Sequence, residues 1–115
     1  MKKDKRTIGI NGEKTAEKYL KNNKYKILDC NYHSRFGEID IIAKKDNFIV
    51  FVEVKARNNN SLGEPREAVT YSKQNKIIKT AEFYILDKKI DLQPRFDVIE
   101  VFTDTDTVNH IENAF

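Results

Sequence analysis

Between Gly37 and Arg57 the chain reads "GEIDIIAKKDNFIVFVEVKAR", two apolar segments separated by "KKDN", and no other stretch restricts the fold as tightly. In the second segment Phe48, Val50, Val52 and Val54 share one face of a strand, and Ile49 and Phe51 lie on the other. Both faces are apolar, as expected of a central strand covered on both sides of its sheet. The connection is short enough for a hairpin, so the two segments should pair antiparallel. Charges interrupt this apolar pattern. Alternation puts Glu38, Asp40 and Ile42 on one face of the first strand and Ile39, Ile41 and Ala43 on the other, while Glu53, Lys55 and Arg57 share the face of Ile49 and Phe51. Burying an unpaired charge is costly enough that the group finds a partner or neutralises, so these residues need compensation.

The rest of the chain supplies covering layers. From Ile8 to about Lys21, Gly9, Gly12, Ala16, Tyr19 and Leu20 recur at three- and four-residue steps, which predicts an amphipathic helix with glycines on its packed side. "YKILDCNY" predicts a first strand after the turn-prone "KNNK". A second helix is expected from about Ser72 to Asp87, with Ile77, Ile78, Ala81, Tyr84 and Ile85 as its apolar stripe and Gln74 extending that stripe toward the sheet. "RFDVIEVF" predicts a further strand, and "TDTDT" a turn before the short terminal segment "VNHIENAF". The order helix, three strands, helix, strand predicts a mixed α/β layer in one domain over 1–115. A flexible basic N-terminus over 1–7 and a mobile loop over 58–65 are expected, with Pro65 suited to the first turn of the helix that follows.

Composition excludes several classes. With 39% hydrophobic and 34% charged residues the chain reads as globular rather than disordered. No apolar run approaches the roughly 20 residues of a membrane span, and "MKKDKRTIGI" lacks the apolar core of a signal peptide, so a cytoplasmic location away from membranes is expected. Cys30 is the only cysteine, and with only His33 and His110 as imidazoles any metal should be held by oxygen. The formal charge of +3 is compatible with nucleic acid without requiring it.

The hairpin charges admit two readings. If the register brings Asp40 beside Glu53, two carboxylates converge, and a hard divalent cation such as Mg²⁺ or Mn²⁺ would relieve their repulsion. Lys55, two residues beyond Glu53 on the same face, could then orient a metal-bound water or stabilise charge on a phosphate. The alternative is ordinary ion pairing at a strand end, Glu53 with Lys55 and Asp40 with Lys55 across the hairpin. Glu38 could assist the metal, pair with Arg35 or Arg57, or do neither.

"GEID" followed by "EVK", with Glu53 thirteen residues after Asp40, resembles the D…(D/E)-x-K signature of the restriction-endonuclease-like PD-(D/E)XK superfamily. More closely, the ordered set "NGEKTAEKYL", "GEIDIIA", "FVEVKAR", "GEPREAV", "SKQNKI", "RFDVIEV" and "HIENAF" is similar to the YraN-like family of small bacterial proteins, over nearly all of the chain past Arg6. Within the superfamily the pattern resembles archaeal Holliday-junction resolvases. The resemblance implies a restriction-endonuclease-like mixed β-sheet flanked by helices, Asp40 and Glu53 as metal ligands, the Val54 carbonyl as a further ligand, and Lys55 as the catalytic lysine. It implies too that Glu13 approaches the site as an extra carboxylate, though a glutamate near a helix start could equally compensate the helix dipole. Gln74 matches a site-facing glutamine of many superfamily nucleases, with a hydrogen bond at the core edge as the other role. The superfamily's Pro before the first Asp is here Ile39.

A nuclease must grip phosphates, and Arg35, Arg57, Arg66 and Lys73 flank the site. The expected function is therefore a Mg²⁺- or Mn²⁺-dependent DNA endonuclease, reading structure or backbone rather than a long sequence. The competing expectation is a nucleic-acid-binding or assembly module that keeps the fold without efficient turnover. A domain of this size offers little surface for surrounding DNA, which makes a homodimer reasonable.

Overall fold

The computed structural model describes residues 5–57 and 69–115, with the side chains of the first helix described from Gly12 onward. The elements run α1 (Lys5–Asn22), β1 (Lys26–Ser34), β2 (Gly37–Lys45), β3 (Phe48–Arg57), α2 (Tyr71–Lys88), β4 (Gln93–Phe102) and β5 (Thr107–Ile111). The five strands form one sheet in chain order, and every neighbouring pair is antiparallel except β3 and β4. That exception follows from the connection: parallel neighbours need a crossover, and α2 lies within this one. The expected mixed α/β layer is the architecture observed. The expected loop over 58–65, its Pro65, and Arg66 lie outside the described residues.

β3 occupies the middle of the sheet, and Ile49, Val50, Phe51 and Val52 are all fully or almost fully buried. Its even-numbered residues Val50 and Val52 join Ala16 and Leu20 of α1, while Ile49 and Phe51 join Ile77, Ala81 and Tyr84 of α2. Each helix thus covers one face of the sheet. Gly12 lets α1 come close, because a Cβ there would lie 3.3 Å from the Ala56 Cβ. α2 is capped by the Thr70 hydroxyl, which accepts the Lys73 N–H at 3.2 Å, and it ends at Lys89 in the left-handed region (φ 54°).

Three features differ from the sequence expectation. The helix α1 begins at Lys5 rather than Ile8, inside the stretch expected to be flexible. The terminal segment forms a fifth strand, pairing from Phe102↔Thr107 to Val98↔Ile111; five residues with only partial burial carry too little periodicity to announce a strand. Strict alternation also fails in β2. Ile41 and Ala43 pack on the α1 side as a pair, but Ile39 joins Ile42 on the α2 side. The irregularity falls between Ile39 and Ile41, at Asp40.

Candidate functional site

The β2–β3 ladder runs from Lys45↔Phe48 to Ile41↔Val52, and one further step would set Asp40 opposite Glu53. At that step the side chain takes over from the backbone: the Asp40 carboxylate accepts the Val54 N–H at 2.8 Å. Asp40 and Glu53 therefore meet where the hairpin stops pairing. Glu53 is 8% exposed, and Asp40 is mostly buried beside it.

Burial and the neighbouring Glu53 raise the Asp40 carboxyl from its ordinary 3.8 to about 7, against the lowering effect of the Val54 N–H and of Lys73. Glu13 is raised too, first by burial and then by Asp40, while a hydrogen bond from Asn31 opposes the shift. Asp40 on β2 thus stands between Glu53 on β3 and Glu13 on α1. Glu13 sits eight residues into α1, whose first turn holds no acidic residue, so the helix-dipole reading does not apply to it. Among the described residues no three His, Cys, Asp or Glu side chains converge into a ready metal cage, so Glu13 approaches without closing one.

The cation that meets Glu53 is Lys73, from the first turn of α2, in direct contact through its ammonium. Its pKa is raised: burial pulls it down, but contact with Glu53 and the fields of Glu53, Asp40 and Glu38 outweigh that. The alternative of an ion pair between Glu53 and Lys55 is not the arrangement found. Lys55 is exposed on β3, opposite Glu100 of β4. Lys73 reaches the site because the buried stripe of α2 runs through Ile77, Thr80, Ala81 and Tyr84, and residue 73 lies one turn before Ile77. Its half-exposed stem lets the ammonium meet the carboxylate on the central strand.

The other expected site residues are placed as follows. Gln74 donates from its side-chain amide to the Val69 carbonyl at 3.0 Å, the core-edge role. Arg57 is largely buried and pairs with Glu100 at 2.8 Å. Glu38 pairs with His33 across β1 and β2 at 3.3 Å, not with Arg35 or Arg57. Arg35 is exposed, with its guanidinium 4.9 Å from the Phe36 ring centre. Arg66 lies outside the described residues. Beside Lys73 and Glu38 opens a cavity of about 330 Å³, lined also by Gly37, Thr70, Ser72, Lys76 and Ile77. α2 comes close there because Gly37 carries no Cβ, which would lie 3.3 Å from the Lys76 Cβ.

Sequence reasoning missed two polar groups. Glu100 is buried on β4 near Lys55 and Arg57, hidden in a strand that reads as apolar. Asp97, fully buried, accepts hydrogen bonds from Arg95 at 2.8 and 3.0 Å, from the Asn113 N–H at 3.0 Å, and lies 2.7 Å from His110 Nε2. Only the pairing of β5 reveals the second cluster, although "RFD" and "HIEN" had marked both ends of it.

A family model described as "Uncharacterised protein family UPF0102" matches residues 12–101, which include Glu13, Asp40, Glu53, Lys55 and Lys73. The chain belongs to the UPF0102 family. A UPF0102 protein of Clostridium beijerinckii is 49% identical over 120 aligned residues, covering 100% of this chain and 98% of the relative. One from Alkaliphilus oremlandii is 51% identical, with 94% and 97% covered, and one from Clostridium botulinum strain Loch Maree is 52% identical, with 94% and 93% covered. The likeness to these UPF0102 relatives covers 94–100% of the chain. Among the described residues no helix is long and apolar enough to cross a membrane.

Proposed function

We propose that this UPF0102 chain is a divalent-metal-dependent DNA endonuclease of the PD-(D/E)XK type, with a structure-specific, resolvase-like preference for its substrate. One observation carries the reading: Asp40 and Glu53 are forced together at the splayed end of the hairpin closely enough to drive the Asp40 carboxyl toward neutrality. A fold that wanted only stability would be better served by apolar residues there. The donors are oxygens, as a hard cation requires, and their mutual repulsion is what such a cation relieves.

Asp40, Glu53 and the Val54 carbonyl would hold Mg²⁺ or Mn²⁺, with Glu13 as a nearby outer carboxylate. When bound, the ion supplies charge neutralisation at a phosphoryl oxygen and an acidified water. The chain's own residues do the rest. The Val54 N–H fixes the Asp40 carboxylate, exposed Lys55, two residues beyond Glu53, would bring its ammonium to the scissile phosphate, and Arg35, Lys73 and Lys76 would offer cations for neighbouring phosphates. Arg57, buried against Glu100 inside the sheet, is not among the cations turned toward a substrate.

The test is a cleavage assay on labelled single-stranded, duplex, flapped and four-way-junction DNA with Mg²⁺, Mn²⁺ or EDTA. Metal-dependent cutting that disappears in Lys55→Ala supports the nuclease and identifies its preferred substrate. A second reading, a DNA-binding module without efficient turnover, is favoured by one observation: Lys73 already compensates Glu53. That reading expects salt-sensitive DNA binding, no cutting, and no dependence on the metal.

A further inference from the structure

The contact between Lys73 and Glu53 couples two properties that are otherwise separate. Glu53 is nearly buried and its ammonium partner is half exposed, so the lysine and not the carboxylate is the member free to leave. Lys73 feels three carboxylates at once, Glu53 in contact and Asp40 and Glu38 beyond, so one lysine offsets only part of the negative charge that faces it. Lys73 also lines the 330 Å³ cavity, together with Lys76, the exposed Thr70 and Ser72, and Gly37. The two ends of its reach are thus a metal-binding carboxylate and an open cavity with a second lysine in its wall.

Resting on the metal-site reading above, we infer that Lys73 is an exchangeable counter-ion: it holds Glu53 while the site lacks a cation, is displaced when a divalent cation arrives, and then binds a phosphate of the nucleic-acid backbone in the cavity beside Lys76. A cation with two charges outcompetes one ammonium for the paired carboxylates, and the released ammonium, on a flexible four-carbon stem, needs an anion. The cavity is the space within its reach, and a backbone phosphate is the anion that a nuclease substrate brings. Metal loading and nucleic-acid binding thereby become reciprocal, since whatever favours the released lysine favours both ligands equally.

The experiment is calorimetric titration of Mg²⁺ and, separately, Mn²⁺ into wild type, Lys73→Met, Lys73→Arg and Asp40→Ala, followed by DNA affinity measured in EDTA and in Mg²⁺ on a Lys55→Ala background with a four-way junction. Lys73→Met should bind metal about two- to five-fold more tightly than wild type, the scale of a half-exposed ion pair, and Lys73→Arg should stay near wild type. Mg²⁺ should tighten DNA binding in the Lys55→Ala background and lose most of that effect when Lys73→Met is added. Metal affinity unchanged or weakened by Lys73→Met, in a protein whose metal binding still requires Asp40, overturns the exchange and leaves the metal site standing. Metal binding absent from wild type, or untouched by Asp40→Ala, overturns the metal-site reading and the exchange with it.

Discussion

Asp40 accepts the Val54 N–H while standing against Glu53, and these two contacts pull its protonation in opposite directions. The net shift is upward, to about 7. In the folded chain this carboxyl therefore keeps a proton that the unfolded chain releases from about pH 4 upward. Its contribution to stability is full below about pH 4 and is lost as pH rises toward 7. Asp40→Asn retains an acceptor for Val54 without the charge. Urea denaturation of the metal-free proteins should show the Asn variant gaining on wild type between pH 4.5 and pH 7.5, and a constant difference would contradict the shift. Adding Mg²⁺ at pH 7.5 should raise the wild-type midpoint and leave Asp40→Asn nearly unmoved.

Between elements, two buried ionic contacts tie β4 into the sheet. Arg57 of β3 pairs with Glu100 of β4, both nearly inaccessible to water. Arg57→Met strands the Glu100 carboxylate and should cost about 3 kcal/mol, whereas adding Glu100→Leu should recover most of that loss, both read from denaturation midpoints. On the other face Asp97 joins Arg95, His110 and the Asn113 N–H, and Arg95 in turn donates to the Tyr25 hydroxyl at 2.6 Å. These donors hold Asp97 below the ordinary carboxylate range although burial alone would raise it. Asp97→Ala should cost on the order of 3–5 kcal/mol, with hydrogen exchange accelerating first in β5. Because its folded pKa is depressed, the stability Asp97 lends is present above about pH 4 and fades as the pH falls further.

Across the whole molecule the sheet separates two tasks. The α1 face and the Asp97 cluster close the core, while the opening of the β2–β3 hairpin and the start of α2 gather Asp40, Glu53, Lys73 and the cavity. The formal charge of +3 is modest, so DNA affinity should come from local lysines and arginines rather than an overall field. Binding should weaken steeply with salt, and Lys76→Ala should lower the slope of log affinity against log salt by about 0.9, the value for one lost phosphate contact. An unchanged slope would remove Lys76 from the interface.

The sequence alone determined what depends on near neighbours. Apolar residues on both faces made Phe48–Val54 a central strand, a short connection made its hairpin, and three- and four-residue spacing drew both helices. The sequence left open whether the hairpin register brings Asp40 beside Glu53, and the ladder that ends one step short of the pair answers it. Only the tertiary structure decided which charge answers which. Lys55, two residues from Glu53, was one partner the sequence allowed it, but Lys73 comes from the crossover helix to take that place, and Arg57 finds Glu100 on a strand 43 residues later. Periodicity is a property of one segment, whereas an ion pair depends on how two segments pack. The side on which α2 lands, and the phase of its buried stripe, were therefore beyond reach of any pattern along the chain.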